Sequence, residues 1–130
     1  WLQCTSYVTT SKSIDQASDD LQKAVTDHKF GVLHIHNIKD TLNKKGVEFS
    51  NECRIFEVCN PHKAKEVLSE DMSLNMALPC RISIYEENGE TKIGMIKPSA
   101  LLASLSDSAS LKKVADEVEA ISIQIIDQAR

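Results

Sequence analysis

The stretch Cys53–Tyr85, CRIFEVCNPHKAKEVLSEDMSLNMALPCRISIY, constrains the rest of the chain most. In its opening residues Arg54, Phe56 and Val58 alternate with Cys53, Ile55, Glu57 and Cys59, as in a strand with one mainly apolar face. Asn60 and Pro61 then end that strand. The Asn60 side-chain oxygen is placed to accept from the free N–H groups of a first helical turn, and Pro61 lacks only a donor that this position leaves unused. Ala64, Val67 and Leu68 form the buried stripe of the resulting short helix. Ser69–Ala77 reads as an irregular link containing Met72 and Met76, where methionine serves as adaptable packing. After Cys80, Ile82 and Ile84 alternate with Arg81, Ser83 and Tyr85 in a second strand.

Both flanks extend this pattern. Thr5–Thr10 is β-branched and predicts a first strand. Ser13 and Gln16 have the spacing of a capping box, and Asp15 complements the dipole of a helix whose stripe is Ile14, Ala17, Leu21, Ala24 and Val25. In GVLHIHNI, Leu33 and Ile35 are expected on one face, toward the helices. Val32, His34, His36 and Ile38 are expected on the other. Lys39–Lys45 predicts a short helix closed by Gly46. Asn88-Gly89 predicts a hairpin turn leading into TKIGMIK, and Pro98 ends that strand. Leu101, Leu102 and Leu105 follow in a short helical segment. Leu111, Val114, Val118, Ile121 and Ile125, broadened by Ala115 and Ile126, mark the longest helix.

The order predicts one α+β domain over residues 1–130, with an antiparallel sheet covered by helices on one face and open on the other. At 130 residues the chain can bury a core without disulfide staples, so Cys4, Cys53, Cys59 and Cys80 are expected as free thiols. With only 5% aromatic residues, that core is aliphatic. A net charge of −4 argues against a protein that tracks nucleic-acid phosphates, and no apolar run is long enough to span a membrane. The first residue is Trp1 rather than methionine. That fits either an upstream boundary or removal of a signal for export to the periplasm, and no compartment is assigned.

VCNP with its short helix, followed by LPC and the strand RISIYE, resembles the domain of unknown function 302 (DUF302) family over roughly residues 7–120. The resemblance implies a fold like half of the TATA-binding protein, β-α-β4-α, with a curved antiparallel sheet backed by helices. It also implies a homodimer. A shared fold does not imply DNA binding.

Function is expected on the open face. His34 and His36 would project there together, roughly 7 Å apart along the strand. Met95, Ser83, Tyr85 and Glu57 are candidates to share it, with Met95 and Tyr85 grouped with the histidines as cofactor-binding residues. Two imidazoles at i and i+2 suit a metal ion, and either suits axial ligation of haem. Ligation of one haem by two histidines would need a second subunit, because neighbours on one strand cannot reach opposite faces of the ring. The plain alternative is two surface histidines on a half-exposed strand.

Cys59 and Cys80 form the second candidate set. Cys59 precedes a helix N-terminus, where partial positive charge favours a thiolate suited to redox or sulfur-transfer chemistry. Their alternative role is as small buried hydrophobes. His62 could serve Cys59 as a base. Cys4 and Cys53 receive no role, and Asp19-Asp20 and Glu86-Glu87 read as solvated charges. No phosphate loop, nucleophile elbow or HExxH motif occurs, which points to a non-enzymatic binding module holding haem or another small ligand.

Overall fold

The computed structural model describes residues 4–130, and Trp1 lies outside them. The chain runs β1 (Thr5–Thr10), α1 (Ile14–Asp27), β2 (Gly31–Asn37), α2 (Ile38–Lys44), β3 (Cys53–Cys59) and α3 (Pro61–Glu70). A 3₁₀ segment (Met72–Ala77) leads to β4 (Cys80–Glu87), β5 (Glu90–Ile96), α4 (Pro98–Ala103) and α5 (Ala109–Ala129). The strands form one antiparallel sheet in the order β1-β5-β4-β3-β2. This is the expected α+β architecture.

The caps act where the sequence places them. The Asn60 side chain accepts from the backbone N–H groups of His62 and Lys63, which fixes the start of α3. Ser13 Oγ accepts from the Gln16 N–H, but the Gln16 side chain donates to Asp20 rather than completing a capping box. Asn88 and Gly89 both have positive φ, as a tight hairpin turn demands.

Alternation then decides the layers. Phe56, Val58, Ile82, Ile84 and Ile93 point to one side, where Leu21 and Val25 of α1 and Ile125 of α5 bury them. A second cluster, Val67, Leu74 and Leu111, seats α3 and the 3₁₀ segment on α5. That segment is therefore ordered by Leu74, where an irregular link was expected. Arg54 also faces the helices, and its guanidinium donates to Asp15 (2.7 Å) and Ser18 (3.2 Å).

Two facing assignments are corrected. Register shifts between Val32 and His34, so the β-bulge at Leu33 reverses the expected facing of Val32 and Leu33 and leaves that of the residues after it. Val32 packs on the core and Leu33 is 61% exposed, whereas Ile35, paired with Phe56 on the edge strand, keeps the helix-side facing expected of it. Met95 lies with Ile93 on the helical side and is 8% exposed, so it does not share the open face with the histidines.

On the open face, Gly94 lets β1 and β5 approach closely. A Cβ there would sit 2.8 Å from Tyr7 Cβ and 3.1 Å from the Ser6 carbonyl oxygen. Gly94→Ala should therefore destabilise the fold by about 1–3 kcal/mol in urea unfolding. Unchanged stability would contradict this close approach.

Candidate functional site

Directly paired residues share a face, so the ladder fixes what the uncovered side displays. One row crosses all five strands: Tyr7, Gly94, Ser83, Ile55 and His36. Its centre is low because Gly94 and Ser83 are small. The pairing of β4 with β5 runs from Glu87–Glu90 to Ser83–Gly94 and stops there. Beyond that point β4 continues along β3 to Cys80, and β5 continues along β1 to Ile96. The sheet forks.

A hollow of about 850 Å³ lies over this floor and enters the fork. Tyr7, Ile55, Ser83 and Tyr85 line it from the sheet. Ile82 and Met95 line the fork, with Ser122 of α5 behind them. Met76, Leu78, Ile96 and Leu101 supply an apolar rim. Met76, expected as packing, is instead 82% exposed at this rim.

Charge in the hollow comes from Arg81, Lys92 and Glu87. Lys92 Nζ donates to Glu87 (2.9 Å), which holds the amine's pKa above its ordinary value, and lies 5.2 Å from the Tyr7 ring centroid. Burial pushes the Tyr85 hydroxyl pKa up. Arg81 makes no hydrogen bond or ion pair among the described residues, although Glu57 is its direct ladder partner.

Glu57 instead holds His36. The imidazole Nε2 lies 2.6 Å from the carboxylate, and this contact, with smaller contributions from Arg81 and His34, lowers the Glu57 pKa. His34 and His36 meet edge to face with ring centroids 4.4 Å apart. Both stand on the open face as expected, but on the edge strand, one strand beyond Ile55 and outside the lining of the hollow. Among the described residues, no group of three or more His, Cys, Asp or Glu side chains is arranged to hold a metal ion. Tyr85 and Met95 do line the hollow, so the four predicted cofactor residues fall into two adjoining pairs.

Cys59 and Cys80 border a smaller apolar cavity of about 40 Å³ beneath α3 and α5, which shares Leu78, Cys80 and Leu102 with the lining of the hollow. Burial raises the Cys59 pKa, and burial together with the neighbouring Cys59 raises that of Cys80 to about 11. Desolvation is the one cause of the Cys59 shift, and its direction is opposite to the thiolate expected from the helix N-terminus. All four cysteines are free thiols. His62 is exposed, and its backbone N–H serves the Asn60 cap. Asp20, read as solvated, forms an ion pair with Lys12 (2.6 Å).

Sequence reasoning missed Tyr7, Arg81 and Ser122. A signal existed for Ser122, a polar residue set within the apolar stripe of the last helix.

Residues 6–129 match the family described as "Domain of unknown function DUF302". The chain belongs to the DUF302 family. It is similar to a solved structure titled "Crystal structure of uncharacterized conserved protein DUF302 from Bacillus stearothermophilus". The two are 34% identical with a TM-score of 0.92, and the match covers 98% of each chain. No curated protein matches it. No helix among the described residues of this DUF302 protein is long and apolar enough to cross a membrane.

Because its folded pKa is lowered, Glu57 adds stability above the ordinary value of 4.5 and loses it as pH falls through the depressed one. Carboxyl-carbon NMR titration should place Glu57 below 4.5 and show an upward move in His36→Ala. Identical titrations in both proteins would contradict the pairing.

Proposed function

We propose that this DUF302 protein is a small homodimeric binding module without catalytic activity, holding a flat cofactor or small ligand on its open sheet face. Haem is the specific candidate. The observation that carries the reading is the hollow of about 850 Å³ with an apolar rim, on the side of the sheet that the helices leave uncovered. Small-molecule sites typically occupy about 300–1,000 Å³ with apolar walls and a few polar groups.

A flat ring lying on the floor would extend past Ile55 toward His36, one strand spacing of about 5 Å away. His34 is the first candidate for iron, since no hydrogen bond to its ring nitrogens is found among the described residues. His36, oriented by Glu57, is the second; a carboxylate partner of this kind fixes the tautomer and raises the basicity of a ligating imidazole. Exposed Tyr7, Ile96 and Met76 at the mouth favour a second subunit closing over the ligand.

Haem titration should give a Soret band that the double variant His34→Ala/His36→Ala abolishes, and sedimentation should report a dimer. An unchanged spectrum without both histidines contradicts axial ligation by this pair. Ser83→Trp, which fills the floor, should block binding while leaving the histidines in place.

The competing reading is thiol redox or sulfur transfer by Cys59 and Cys80, supported by their position on one small cavity. The raised thiol pKa values weigh against it. It requires Cys59 to alkylate faster than a model thiol at neutral pH and to carry a persulfide or disulfide detectable by mass spectrometry. Slow alkylation with neither adduct removes it.

A further inference from the structure

We infer that the hollow selects an organic anion with an apolar body, its acid group on Arg81 and its apolar part inserted between β4 and β5 toward Ser122. The inference rests on the reading of the open face as a ligand site and adds the chemical class of the occupant.

Three observations support it. The first is charge. Lys92 and Glu87 satisfy one another at 2.9 Å, and Glu57 is taken by His36 at 2.6 Å. Arg81 is thereby left without a hydrogen bond or ion pair among the described residues, its guanidinium at the hollow and only the charge of neighbouring Glu57 acting on it, in a chain whose net charge is −4. A guanidinium presents a planar fork of donors that matches a carboxylate or similar oxyanion.

The second is the fork. Past Ser83–Gly94 the two strands have no ladder contact, so Ile82, paired with Phe56, and Met95, paired with Ser6, have no ladder partner across the fork and line the hollow. An apolar chain or ring entering there is desolvated on both sides.

The third is Ser122. It is 1% exposed and lines the hollow, yet no hydrogen bond to its hydroxyl is found among the described residues. A hydroxyl in so enclosed a place normally finds a partner, and this one, on the lining of the hollow, is open to an atom that the occupant brings. Together these groups place a guanidinium and a lone hydroxyl on the lining of one apolar slot.

Two fluorescent probes with one skeleton test the assignment: 8-anilinonaphthalene-1-sulfonate, an anion, and N-phenyl-1-naphthylamine, which lacks the sulfonate. The wild-type protein should bind the anion more tightly. Arg81→Met keeps the apolar stem and should weaken anion binding by about tenfold or more, with the neutral probe unaffected. Equal effects on both probes, or none on either, overturn the inference while leaving the hollow as a site. Ser83→Trp should exclude both probes; if both still bind unchanged, the reading of the open face itself fails. Ser122→Ala should leave the melting temperature of ligand-free protein unchanged or raised, since the hydroxyl it deletes makes no hydrogen bond among the described residues. A clear fall would assign that hydroxyl to the fold and overturn its role toward a ligand. Circular dichroism of each variant separates loss of binding from loss of folding.

Discussion

The structure depends on packing an aliphatic layer between two long helices and one side of a five-stranded sheet. Phe56, Val58, Ile82, Ile84 and Ile93 meet Leu21, Val25 and Ile125, all essentially inaccessible to water. Burying such side chains contributes roughly 1.5–3 kcal/mol each, so this contact fixes strand facing far more strongly than any surface pair. Because side chains alternate, fixing one face fixes the other. Tyr7, Ser83, Ile55 and the two histidines are outward because their neighbours are inward.

What the open face can do follows from two local departures. The bulge at Leu33 lets Val32 join the core while His34 and His36 remain outside. The parting of β4 from β5 after Ser83–Gly94 turns a flat surface into a slot backed by α5. The charges then divide. Glu57 orients His36, Glu87 neutralises Lys92, and Arg81 remains available at the hollow. An edge bearing paired imidazoles thus adjoins an apolar slot lined by Arg81, which makes no hydrogen bond or ion pair among the described residues.

Most of this architecture is legible in the chain because local signals agree. The caps at Ser13 and Asn60, the Asn88-Gly89 turn and the stripes of α1 and α5 each act where their spacing places them. The outward position of His34 and His36 was readable too, although the phase used for Val32 and Leu33 was not, because a bulge changes alternation without leaving a composition signal. Met95 was misplaced because sequence does not supply the register of β5 against its neighbours, and Ile93 is what commits it to the core side. At Cys59 the helix N-terminus is visible in the sequence, but the desolvation that raises its pKa is a tertiary property. The fork, Arg81's lack of a partner and the isolation of Ser122 arise only when distant segments meet.

Mapping backbone amide shifts by NMR during haem titration tests the central claim most directly. The account predicts that perturbed amides gather at Tyr7, Ile55, Ser83 and Gly94 and extend to His34 and His36, while the outer surfaces of α1 and α5 stay unchanged. Shifts confined to those helices, or to the cavity beside Cys59 and Cys80, would contradict it.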